Sequence, residues 1–77
     1  MSKIQSPTFR AMADNWPSTV VARNQVGKLT GGLINSNYLA NLDSQGIGPA
    51  GRFKCGGKVG YQVDAFIEWF SERTEIL

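Results

Sequence analysis

Two glycine-marked breaks, Thr30-Gly31-Gly32 and Gly46, cut the middle of this chain into pieces long enough only for short single helices. Glycine adopts the left-handed conformation at a helix end at little cost, so each break reads as a stop. Between them runs LINSNYLANLDSQ, which holds one charged side chain, Asp43. Asn35 or Ser36 is a good N-cap here. With Asn35 as the cap, Ile34 and Leu39 take the two positions of a hydrophobic staple. Tyr38, Leu39 and Leu42 supply an apolar stripe, while Asn37, Asn41 and Ser44 recur at i, i+4 and i+7 on the opposite face, with Ala40 between them. A helix with an uncharged polar face, set among basic segments, needs a physical explanation.

Upstream, Ala22, Val26 and Leu29 lie on one face of a short first helix that ends at Thr30-Gly31-Gly32. Residues 1–15 show neither helical nor strand periodicity and read as a flexible N-terminal arm. Residues 16–77 form the folded domain, with Trp16-Pro17 at its entrance. Downstream, RFKCGGKVGYQ alternates as a β-hairpin does. A two-residue Gly56-Gly57 turn would set Cys55 opposite Lys58 and mix apolar with charged residues on both faces. A three-residue turn, Gly56-Gly57-Lys58, pairs Cys55 with Val59 and Phe53 with Tyr61, which predicts those four facing the core and Arg52 and Lys54 facing water. Val63, Phe66, Ile67 and Phe70 mark a last helix from about Val63 to Arg73, with Asp64 at its dipole-favoured start and Glu68 and Glu72 outside. The expected fold is mainly α with a small β-hairpin: three short helices plus a two-stranded hairpin.

Seventy-seven residues bury one small core at most. The chain has no histidine and one cysteine, which removes Ser-His-Asp and Cys-His catalysis, an internal disulfide and a histidine-bearing zinc site. Asp14, Asp43 and Asp64 fall in separate segments, so no carboxylate pair is in view. No enzyme, cofactor or metal is expected, and Cys55 reads as a small buried hydrophobe. No apolar run reaches membrane-spanning length and no signal-peptide core is present, so a cytoplasmic protein without a membrane partner is expected. The charge is unevenly distributed. Residues 1–62 carry seven basic against two acidic side chains, and residues 63–77 carry one against four. Such a split suits a basic face for a polyanion with an acidic element turned away from it.

A pair of short helices joined by a tight glycine-containing turn is the layout of a helix-turn-helix, whose second helix enters the DNA major groove. Asparagine can meet adenine there with two hydrogen bonds, and the cations that hold phosphates need only flank the reading helix. Asn37 and Asn41 are candidates for reading. Arg52, Lys54 and Lys58 on the hairpin, with Arg23 and Lys28 on the first helix, are candidates for gripping.

Residues 20 to 73, through VGKLTGGLINSNYLANLDSQGIGP and GRFKCGGKVGYQVDAFIEWF, resemble the MerR-like winged helix-turn-helix of phage excisionases and AlpA-type prophage regulators. The resemblance implies a winged helix-turn-helix fold, double-stranded DNA as partner, and a role in setting the direction of site-specific recombination or in regulating transcription of mobile-element genes. It also implies an integrase or recombinase nearby and cooperative self-association on DNA. By that resemblance the contacting positions lie in the second helix, Ser36 to Asn41, and in the wing at Arg52, Lys54 and Lys58; Asn35, Ser36 and Asn37 stand where the family commonly carries arginine or lysine. The rival reading is an adaptor or anti-repressor without DNA contact, which calls for an exposed apolar patch around Trp69, Ile76 and Leu77.

Overall fold

A computed structural model describes residues 7–75. The elements run α1 (Pro7–Asn15), β1 (Val20–Ala22), a single 3₁₀ turn (Arg23–Gln25), α2 (Val26–Leu29), α3 (Ser36–Ser44), β2 (Phe53–Cys55), β3 (Lys58–Gln62) and α4 (Val63–Glu72). The strands form one antiparallel sheet in the order β1-β3-β2. There are thus four helices and three strands among the described residues, in place of three helices and a two-stranded hairpin.

The expected flexible arm is helical over 7–15. Residues 1–6 of that arm lie outside the described residues. Phe9, Met12, Ala13 and Trp16 follow i, i+3, i+4 and i+7 spacing, and all four pack into or against the core. The Phe9 ring meets Phe70 of α4 edge-on, with centroids 6.0 Å apart. Trp16 donates from Nε1 to the Val20 carbonyl at 3.0 Å, fixing the path from α1 into β1.

The expected first helix from Ala22 is also shorter. Ala22 belongs to β1, which pairs along β3 with Val21 opposite Tyr61. Only Val26–Leu29 is α-helical. Its end is locked by Gly32 N–H to Gly27 C=O at 2.7 Å, with Gly31 at φ +66° and Gly32 at φ +89°, values that side chains rarely tolerate. The buried Thr30 hydroxyl donates to the Val26 carbonyl (2.8 Å) and accepts from the Ile34 amide (3.1 Å), so the turn is bonded across itself.

The hairpin has the other register. Phe53 pairs with Gly60, Lys54 with Val59 and Cys55 with Lys58, around a two-residue Gly56-Gly57 turn. Gly56 sits at φ +61°, as the first residue of a tight hairpin turn requires. The three-residue turn rests on the premise that β2 buries one face, and β2 buries neither: Phe53, Lys54 and Cys55 are all exposed. The pairing lays the Phe53 ring over Gly60, where a Cβ would lie 3.0 Å from it. Phe53 therefore covers the outer face of the sheet at a glycine, and Tyr61 alone turns a large ring inward from the hairpin. Cys55 is exposed, not buried.

The core is Phe9, Val21, Val26, Leu29, Ile34, Leu39, Tyr61, Val63, Phe66, Ile67 and Phe70. Helix α4 supplies four of these from its stripe. Its first amide, Val63 N–H, is satisfied by the Thr19 carbonyl at 2.9 Å.

Candidate nucleic-acid interface

Helix α3 forms as its sequence predicts. The Asn35 side chain caps it by accepting from the Tyr38 amide at 2.8 Å, and Ile34 and Leu39 are both buried. At the other end Gly46 N–H bonds to Asp43 C=O and Ile47 N–H to Leu42 C=O, each at 3.0 Å, the paired bonds of a Schellman ending. Leu39 and Leu42 face inward; Tyr38, expected in the stripe, is 43% exposed, and its hydroxyl accepts from Arg73 Nη2 at 3.1 Å.

Asn37, Asn41 and Ser44 are exposed on the outer face. Ser44 turns its hydroxyl back to the Asn41 carbonyl at 2.8 Å. Neither asparagine amide has a hydrogen-bond partner among the described residues, so both are free to bond outward. Ser36 is half-buried and lines a groove with Asn24, Gly57 and Lys58, which brings the start of α3 beside the hairpin turn. Lys28 in the last turn of α2, Lys54 and Lys58 are all exposed.

Arg23 and Arg52 do something different from what their charge suggests. Both converge on Asp43, which is buried in the last turn of α3 with 4% exposure. Arg23 donates from Nη2 to Asp43 Oδ2 at 2.7 Å and from Nε to the Tyr61 hydroxyl at 3.1 Å. The Tyr61 hydroxyl donates to the same Oδ2. Arg52 Nη1 donates to the Asp43 carbonyl at 3.0 Å and lies 3.4 Å from Oδ1. A carboxylate this buried is stable only when paired and hydrogen-bonded: Arg23 and Tyr61 supply the bonds at Oδ2, while Oδ1 has no hydrogen bond and is met only by the charge of Arg52. Arg23 and Arg52, expected as phosphate contacts, are thus both engaged by Asp43. The signal in the sequence is that Asp43 is the sole acid between Asn15 and Val63, on a helix otherwise without charge.

This network shifts its members. Burial first, and then the bond to Asp43, push the Tyr61 phenol above its ordinary 10.0, against the pull of Arg23. The bonds to Tyr61 and Asp43 push Arg23 up in turn. The phenol is harder to ionise in the folded chain than in the unfolded one. Its contribution to stability is complete below pH 10.0 and lost as pH rises through the raised folded value. Urea unfolding between about pH 9 and about pH 12 is expected to show a decline in stability that Tyr61→Phe lessens. An equal decline in that variant would place the titrating group elsewhere.

Three of the acids gather between α1 and α4: Asp14, Asp64 and Glu68, with Arg10, line one groove there. With Asp43 buried, no exposed carboxylate stands between Asn15 and Val63. Of the patch expected for an adaptor, Trp69 is half-buried, donates from Nε1 to the Ile47 carbonyl at 2.9 Å and lies under Arg73, 5.2 Å from the ring centroid. Ile76 and Leu77 lie outside the described residues. Among the described residues no three His, Cys, Asp or Glu side chains come together to hold a metal ion, and no helix is long and apolar enough to cross a membrane. Comparison with protein-family models, with curated proteins and with solved structures returns no match in any of the three.

Proposed function

We propose that the protein is a small winged helix-turn-helix DNA-binding protein, with α2 and α3 as the helix pair, α3 as the major-groove reader and the β2–β3 hairpin as the wing. The observation that carries this reading is the pair of unpartnered amides, Asn37 and Asn41, on an exposed face of a helix whose start lies beside Lys58, with Lys28 and Lys54 also exposed and no exposed carboxylate in that stretch of chain. Amides offer both donors and acceptors to base edges, and lysines around them neutralise phosphates. The resemblance to phage excisionases and AlpA-type regulators extends the proposal to recombination directionality or prophage transcription control in the cytoplasm. A single module of this size grips few phosphates, so cooperative binding of adjacent copies, or contact with an integrase, completes the proposal.

Reading and gripping are separable by substitution. Asn37→Ala or Asn41→Ala is expected to lower affinity for a duplex selected from a random pool by about 1–3 kcal/mol and to leave affinity for scrambled duplex nearly unchanged. Lys54→Ala weakens both and reduces the salt slope by about one. If both asparagine variants discriminate as well as the parent, α3 does not read DNA. Absence of any duplex binding by the parent favours the adaptor.

A further inference from the structure

We infer that Asp43 is the positioning residue of this interface: its carboxylate fixes the roll of α3 against the sheet, and with it the reach of Asn37 and Asn41 relative to the hairpin lysines. The inference rests on the DNA-binding reading above. Asp43 ties α3 to three separate parts of the chain. Arg23 comes from the turn after β1, Tyr61 from β3 and Arg52 from the segment before β2. The last turn of a helix is the unfavourable end for a carboxylate, because the helix dipole is negative there. An apolar residue would fill the same space without two arginines to neutralise it. What a leucine would not supply is direction.

Apart from Asp43, α3 is buried only through Leu39 and Leu42, and the bond that its Tyr38 hydroxyl accepts from Arg73 is exposed. A roll of about 20° moves a side chain on the helix surface, roughly 5–6 Å from the axis, by about 2 Å. That is enough to break a two-bond contact with a base. Bonds to Oδ2 from two directions, with Arg52 on the backbone carbonyl of the same residue, prevent it. Arg52 is half exposed, so Asp43 also keeps this cation from the phosphates.

The test is Asp43→Asn, read by affinity for a selected duplex and for scrambled duplex across salt, with folding checked by circular dichroism. The selected duplex is expected to lose on the order of tenfold in affinity. Scrambled duplex is expected to bind nearly as before, because the Asp43 backbone carbonyl that accepts from Arg52 is kept in the variant. Tyr61→Phe keeps the buried ring and removes one tie to Asp43. It is expected to lower the specific-to-scrambled ratio without strengthening scrambled binding, and it carries the test if Asp43→Asn does not fold. Ile67→Val loosens the core on α4 and leaves that ratio unchanged. A folded Asp43→Asn or Tyr61→Phe variant with the parent's ratio overturns the inference, as does an equal loss in Ile67→Val. Failure of the parent to bind duplex at low salt overturns the DNA-binding reading itself.

Discussion

Phe66→Ala is expected to leave the domain barely folded at room temperature. Phe66 is fully buried and its ring lies within 5.6 to 6.2 Å, centroid to centroid, of Trp69, Tyr61 and Phe70. Removing a ring from such a site costs about 3–5 kcal/mol, through lost transfer energy and the cavity left behind. A 77-residue chain holds only roughly 4–12 kcal/mol in total, at about 0.05–0.15 kcal/mol per residue. Phe53→Ala is the internal comparison. Phe53 is 42% exposed and covers Gly60 on the outer face of the sheet, so its loss costs about 1 kcal/mol. Urea unfolding of the two variants is the measurement. Equal effects would mean that β2 turns its aromatic side chain into the core, which the Phe53–Gly60 pairing forbids.

Gly48→Ala is expected to destabilise by about 3 kcal/mol, the upper end for overpacking. A Cβ at Gly48 would fall 1.9 Å from Asp43 Oδ1 and 3.3 Å from Asp43 Cα. The obstacle is not the free end of a flexible chain, because Arg23 and Tyr61 hold that carboxylate. Gly48 has no left-handed φ, so the penalty is steric and belongs to Asp43. The two positions should therefore couple: in an Asp43→Ala background, Gly48→Ala should cost far less than it does alone. Additive losses in thermal unfolding would show that Gly48 is required for some other reason.

How much of this was legible in the sequence depended on how local each signal was. The α3 cap at Asn35, the staple of Ile34 and Leu39 and the ending at Gly46 all act within one turn of chain, and all three form as expected. The stripe on α4 is long and regular, and it forms too. Helix α1 carries a pattern just as regular in Phe9, Met12, Ala13 and Trp16, but three of its four members are small, flexible or amphipathic, so the stripe is weak in the sequence alone. Strand β1 is three residues long, too short for alternation to show, and its existence depends on pairing with β3 some forty residues away. Alternation points to the wrong hairpin register because β2, unlike β3, buries neither face.

The pairing of Arg23 and Arg52 with Asp43 escapes the sequence for a different reason. Counting charges along a chain treats every cation as solvated, and nothing local says that Asp43 will be buried between two of them. Arg23 lies 20 residues away and Tyr61 18, so the network is a product of the tertiary fold. Of the expected contact positions, the exposed face of Asn37 and Asn41 and the exposed cations Lys28, Lys54 and Lys58 stay open to a partner. The polar face thus escapes the core, while the one charge on its helix does not.

The salt dependence of binding to random duplex DNA tests the central claim most directly. Three cations free to neutralise phosphates, Lys28, Lys54 and Lys58, give a plot of log affinity against log salt with a slope of about −2.7. Affinity should then fall about 40-fold between roughly 50 and 200 mM salt. A binding strength that does not change with salt, or no binding to duplex at the lowest salt, would contradict the account.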